Sequence, residues 1–154
     1  MRIAIGSDHA ATELKEELKA WLESEGYAVR DFGPAMGDKA EYPVSAGKVA
    51  NAVISGDCNL GLLLCGTGVG ISIAANKVRG IRACCCSEPY SAMLSRQHND
   101  SNILCMGARV VGSELAKMIL AAWLGARFEG GRHAERVGLI AAMEGSTANG
   151  AEHG

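Results

Sequence analysis

The arrangement in this sequence that most plainly carries chemistry is a thiol at the end of an apolar run, followed by glycines at alternate positions. It reads Leu62-Leu63-Leu64-Cys65-Gly66-Thr67-Gly68-Val69-Gly70-Ile71-Ser72. A strand that delivers Cys65 to its carboxyl end and turns through Gly66, Gly68 and Gly70 into a helix leaves backbone N–H groups beside the thiol. Such groups hold anions. A free thiol titrates near ~8.5, and drawing it to neutrality takes about 2 kcal/mol, the upper end of what a partly buried helix terminus supplies. Cys65 is therefore able to act as a base without a metal. Two plainer readings stand beside this one. A cysteine ending a strand is commonly a small core residue. The glycines also resemble a dinucleotide-binding turn, but their spacing is GxGxG, not GxGxxG, and they lie in the third strand–helix unit. Cys84-Cys85-Cys86 occupies the place of the carboxylate that would bind a ribose.

Other candidates are scattered. Asp8-His9 follows the first apolar run and reads either as a helix cap with a surface imidazole or as part of a site. His98 stands in the polar stretch Ser95-Arg96-Gln97-His98-Asn99-Asp100. Arg132 and Arg136 are four apart and share a face if a helix begins at the turn before them. They form either a solvated basic face or a phosphate clamp that Arg109 could join. Cys84–Cys86 reads as strand core without chemistry. No pair of cysteines and histidines has zinc-ligand spacing.

Short apolar runs alternate with segments of helical period, which is the pattern of an α/β domain with a parallel sheet. The expected strands are Arg2–Gly6, Tyr27–Phe32, Leu60–Cys65, Gly80–Cys86 and Asn102–Met106. The expected helices are Ala11–Glu25, Val44–Ile54, one from the glycines to about Asn76, Pro89–Gln97, Glu114–Leu124 and Glu135–Met143. Ligands of such sheets bind beyond the carboxyl ends of the strands, which puts Asp8, His9, Cys65 and Arg109 on one rim. Residues 1–145 read as one domain, and 146–154 as a small, polar, disordered tail.

Composition narrows the classes. The 154 residues are 48% hydrophobic and 21% charged, with a formal net charge of −2, ordinary for a globular protein. No basic stripe for a nucleic acid or an anionic membrane is visible. The start enters a strand at once, without a signal-peptide pattern or a stretch that would span a bilayer. Six cysteines without a CxxC pair fit small core residues, not disulfides, and a reducing cytoplasm.

With these residues assembled, the sequence resembles the B-type ribose-5-phosphate isomerases, a family that also holds galactose-6-phosphate and allose-6-phosphate isomerases. The resemblance runs from Ile3 to about Met143. Its marks are Gly6-Ser7-Asp8-His9, Cys65 through Lys77, Ser87-Glu88-Pro89-Tyr90-Ser91-Ala92, Arg96 through Asp100, Gly107 through Gly112, and Glu129-Gly130-Gly131-Arg132-His133. It implies a three-layer Rossmann-like domain with a five-stranded parallel sheet, assembled as a homodimer and in some members paired into tetramers. No metal or organic cofactor is implied. The implied reaction interconverts D-ribose 5-phosphate and D-ribulose 5-phosphate through a cis-enediolate, in the non-oxidative pentose phosphate pathway, with allose 6-phosphate as a side substrate.

The resemblance also implies roles. Cys65 is the base, and Thr67 assists proton movement on substrate oxygens. The amides of Gly66, Gly68 and Gly70 hold the enediolate. His98, with Asp8, opens the sugar ring. His9, Arg109, Arg132 and Arg136 bind phosphate, and Asn99 touches substrate hydroxyls. Some members place a glutamate base where this chain has Ile71, which groups this chain with the cysteine users. Two rival readings are a nucleotide-binding module and a non-catalytic subunit like one half of the heteromeric galactose-6-phosphate isomerases. A last expectation is topological. His98 follows a helix that returns from the rim, so His98 and Asn99 should reach Cys65 and Thr67 only from a two-fold mate, giving sites shared between subunits.

Overall fold

The computed structural model describes residues 1–146. Five strands form one all-parallel sheet: β1 (Arg2–Ser7), β2 (Ala28–Asp31), β3 (Leu60–Cys65), β4 (Ala83–Cys85) and β5 (Ile103–Gly107). Their order is β2-β1-β3-β5-β4, which seats β5 directly beside β3. Six α-helices follow the strands: α1 (Thr12–Ser24), α2 (Tyr42–Ile54), α3 (Val69–Ala75), α4 (Pro89–Asn99), α5 (Ser113–Gly125) and α6 (Arg132–Ser146).

The period-2 pleat sends alternate strand residues to two cores. Ile3, Ile5, Leu62, Leu64, Leu104 and Met106 pack with Leu14, Leu18, Ile119 and Trp123 of α1 and α5. Ala4, Leu63, Cys65, Ile103 and Cys105 pack on the opposite face with Val49 of α2 and Ile71 of α3. The result is the expected three-layer sandwich. Every residue of β3 is buried, as its unbroken apolar run requires of a parallel strand covered on both faces. Under α1, Lys15 is fully buried, with its Nζ 2.6 Å from Asp31 and 2.6 Å from Glu16.

Several boundaries differ from expectation for identifiable reasons. β4 is three residues long, not Gly80–Cys86, because side chains replace ladder bonds around it. Asn102 Oδ1 accepts from Arg82 N at 2.8 Å and its Nδ2 donates to Gly80 O at 2.9 Å. Asn76 likewise pairs with both backbone groups of Ala83. As the edge strand, β4 leaves Cys85 exposed and Cys84 partly so, which corrects the reading of Cys84–Cys86 as core throughout. A 3₁₀ turn over His9–Ala11 precedes α1. The fourth helix runs past Gln97 to Asn99, where Asp100 at φ 46° closes it, a left-handed conformation that Asp tolerates better than most residues. The last helix starts at Arg132 and not Glu135, its first turn closed by His133 N–H to Gly130 O at 3.0 Å. The tail expected from 146 onward lies outside the described residues, apart from Ser146 at the end of α6.

Candidate functional site

At the carboxyl rim, Cys65 ends β3 with only 4% exposure. Gly68 N–H donates to its Sγ at 3.1 Å. Two glycines make this approach possible. Gly68 has φ +80°, and a Cβ there would lie 2.8 Å from Met106 C. A Cβ on Gly107, which pairs with Cys65 in the ladder, would fall 2.5 Å from Thr67 C and 2.6 Å from Thr67 O. The loop is pressed onto the end of β5, and only hydrogens fit between.

The rest of the rim gathers round. Asp8 N–H donates to Leu64 O at 3.0 Å, one residue before Cys65, and Asp8 Oδ1 accepts from Ala10 N at 3.0 Å. Asp8 is thus the cap its position allowed, and its backbone is tied to the end of β3. His9 is exposed, with Nδ1 3.1 Å from Ala40 O. Thr67 is exposed, and its Oγ1 accepts from Val69 N at 3.3 Å. The Arg109 guanidinium covers Gly66, 3.3 Å from where a Cβ would sit, while the Tyr42 ring stands over Gly70 at 3.0 Å from the same point. Burial holds the neighbouring thiols of Cys84, Cys85 and Cys105 above the ordinary thiol range, and that of Cys86 at about 12.

The remaining candidates lie at the other end of the sheet. The Arg82 guanidinium, just before β4, donates to Asn99 O and Asp100 O at 3.0 Å each. His98 and Asn99 therefore sit by the amino ends of β4 and β5. Cys65 pairs with Gly107 at the opposite end of β5. The four steps from Ile103 to Gly107 span about 13 Å at roughly 3.3 Å per residue. Arg132 and Arg136 share the exposed first turns of α6, next to His98, because His133 stacks on the His98 ring with centroids 4.2 Å apart and planes at 7°. Arg109 is thus not with Arg132 and Arg136 in one chain, contrary to the simplest reading of a three-arginine clamp.

Two residues near His98, Glu129 and His133, appear in the sequence only as marks of the resemblance, with no role attached. Glu129 Oε2 lies 3.9 Å from His98 Nε2 and 3.6 Å from His133 Nε2. The signal was the four-residue spacing of Glu129 and His133, hidden because Glu129 precedes the helix. Ligand-type atoms of all three fall within 4.8 Å of one another, a convergence that pairwise spacing does not reveal. Burial, then the charges of His98 and Arg132, lower the pKa of His133.

The family model described as Ribose/Galactose Isomerase matches residues 3–140. The ribose-5-phosphate isomerase B of Escherichia coli is 58% identical over 143 residues, covering 93% of this chain and 96% of that protein. The D-erythrulose-4-phosphate isomerase of Pectobacterium atrosepticum is 45% identical over 145 residues, covering 94% and 95%. The solved ribose-5-phosphate isomerase B of Clostridium thermocellum superposes with a TM-score of 0.94 at 53% identity, covering 96% of this chain and all of that one. Among the described residues, no helix is long and apolar enough to cross a membrane.

Proposed function

The chain belongs to the ribose/galactose isomerase family and is an enzyme, and we propose that it interconverts D-ribose 5-phosphate and D-ribulose 5-phosphate, with Cys65 as the base. The observation that carries the mechanism is the Gly68 N–H donated to Cys65 Sγ at 3.1 Å, on the rim where such sheets bind ligands. In the opened aldose, the Cys65 thiolate removes the proton from C2, and the electron pair forms the C1=C2 bond as charge moves to O1. We assign that oxyanion to the backbone amides of Gly66 and Gly70, joined by that of Gly68 once Cys65 Sγ carries the proton, a role suited to fixed dipoles. Thr67 Oγ1 assists transfer of the O2 hydroxyl proton to O1 as the C2=O bond forms, and the electron pair of the C1=C2 bond takes the proton back from Cys65 at C1. One proton has then moved from C2 to C1 and one from O2 to O1, and no metal or organic cofactor is assigned to either transfer.

Ring opening comes first. His98 donates a proton to the ring oxygen, the C1–O bond breaks with its pair going to that oxygen, and Asp8 accepts the proton of the anomeric hydroxyl. Asn99 holds substrate hydroxyls, and His9, Arg109, Arg132 and Arg136 hold the phosphate. Because about a sheet's length parts His98 from Cys65 within one chain, we assign His98 and Asn99 of each site to a two-fold mate. Arg132 and Arg136 travel with them. The exposure of Leu139 at 70% and Ile140 at 45% on α6 supports a homodimer, since apolar side chains clustered on one helix suit burial against another chain. Pairing into tetramers, residues 1–145 acting as one domain, and a cytoplasmic location accompany this reading.

Mixing tests it. Cys65→Ala and His98→Ala proteins should each be nearly inactive on ribose 5-phosphate; unfolded together and refolded, about half the dimers are mixed, each with one intact site. Activity should recover to about a quarter of wild type by that count. Mixed dimers that form and stay inactive would place His98 in its own chain's site. Sugar length is a separate question, sharpened by the 45% identity to a protein named for a four-carbon ketose phosphate. We assign the five-carbon pair as the preferred substrate and allose 6-phosphate as a side substrate. Comparison of kcat/KM on ribose 5-phosphate, allose 6-phosphate and erythrulose 4-phosphate, using this protein alone, ranks them. It also excludes a non-catalytic subunit if turnover is found.

A further inference from the structure

The ring-opening histidine does not stand alone. His98 occupies the last turn of α4, and the imidazole of His133, 6% exposed, lies parallel to it at 4.2 Å. Glu129 reaches the Nε2 edge of both rings. The loop bearing Glu129 is tied to the same helix end, since Glu129 N–H donates to Gln97 O at 3.0 Å. Each of the three groups is thus fixed relative to the other two.

Two uses of such a cluster can be compared. A metal ion needs each imidazole lone pair aimed at it in the plane of its own ring. Rings stacked at 7° keep their lone pairs in two separate parallel planes, and one ion cannot lie in both. A shared proton has no such requirement. One imidazolium over one neutral imidazole, with a carboxylate at their common edge, satisfies the geometry as it stands.

We propose that Glu129 and His133 are positioning residues for His98: the stack fixes the plane of its ring, and the carboxylate favours its protonated form, the form that gives a proton to the ring oxygen. This rests on the ring-opening role assigned to His98 above. Burial of His133, then the charges of His98 and Arg132, lower its pKa, so the ring stacked on His98 resists a second positive charge. The charged groups around the pair are Glu129 before α6, Arg132 and Arg136 on α6, and Arg96 and Asp100 at the end of α4. Arg82 completes the set; its guanidinium is paired with Asp100 at 3.2 Å and Arg96 with Asp100 at 2.9 Å. Glu129 is the carboxylate at the Nε2 edge itself.

The test measures kcat at saturating substrate from each side across pH. The overall equilibrium ties the two kcat/KM values together, so the split must be read in kcat. Glu129→Gln should move the alkaline limb of the ribose 5-phosphate profile down by about half a pH unit, roughly threefold in kcat on that limb, the scale of a partly exposed ion pair. The kcat from ribulose 5-phosphate, which has no furanose ring to open, should stay near wild type, and Glu129→Asp should restore the profile. His133→Phe, which keeps the stack, should retain more forward kcat than His133→Ala. An unmoved profile for Glu129→Gln, or equal loss of kcat from both sides, overturns the proposal. His98→Ala serves as the reference. A one-sided loss there with no effect of Glu129→Gln sinks only this inference, whereas a two-sided loss sinks the ring-opening role itself.

Discussion

Gly107→Ala tests the site at a residue that has no side chain to do chemistry. The added Cβ would sit 2.5–2.7 Å from the C, O and Cα atoms of Thr67, all of them backbone, so no side chain can swing aside. Ordinary contact begins near 3.4 Å, so the loop must withdraw by about 0.9 Å. If Gly68 moves with Thr67, its N–H separates from Cys65 Sγ from 3.1 Å to about 4 Å, and the bond is lost. A hydrogen bond to a charged group is worth ~1.5–3 kcal/mol, which converts to about a 10- to 150-fold loss of kcat. Stability should fall by the ~1–3 kcal/mol typical of overpacking. Gly47→Ala is the control. It lies within α2 with nothing within 4 Å of its added Cβ, and Ala should stabilise that helix by about 0.5–1 kcal/mol. Steady-state kinetics and thermal melts on both variants decide the matter. A folded Gly107→Ala protein with wild-type kcat would refute the claim that the pressed loop sets the thiol.

Cys65→Ala should lower kcat by at least the ~10²–10⁴-fold of a positioned base, while Cys84→Ala stays within a few-fold; more than a tenth of wild-type kcat in Cys65→Ala would end the mechanism. Full activity should survive exhaustive chelation followed by gel filtration, and a loss restored by zinc or magnesium would count against proton transfer on a thiolate and amides alone. Burial pushes the Asp31 carboxyl up, but Lys15, the Gly33 N–H and Lys19 together hold it below its usual value. Its contribution to stability is therefore present above about pH 4 and is lost as pH falls through the lowered folded pKa. The melting difference between wild type and Asp31→Asn, about 3 kcal/mol for breaking a buried pair, should close as pH drops below 4; a gap constant from pH 7 to pH 3 would contradict the ion pair.

What could be read from the chain beforehand followed from local pattern. The apolar run Leu62–Cys65 announces a covered strand, and the chemistry at its end follows from the rim rule. The separation of His98 from Cys65 follows from counting a helix back across the sheet. What could not be read was non-local. Strand order is not written in any window, so nothing in the sequence placed Gly107 against Thr67. Nor did the length of β4 show, because Asn76 and Asn102 bond its flanks through side chains 7 and 20 residues away. Glu129 stayed hidden since its partner His98 is distant in sequence and its other partner His133 lies across a helix start. The spacing of Arg132 and Arg136 puts them on the first turns of one helix, as found, whereas their distance from Arg109 within one chain depends on how α6 packs against α4, which no local window shows.

The placement of Cys65 and His98 at opposite ends of one sheet bears on how such an enzyme responds to dilution. If each site needs two chains, a separated protomer holds a complete set of reacting groups and no working site. Specific activity then depends on protein concentration and vanishes as the dimer dissociates, even though every chain remains folded. Heredity feels the same geometry. A substitution near His98 is read out in the neighbour's site, so two differently damaged copies made in one cell can restore what neither supports alone.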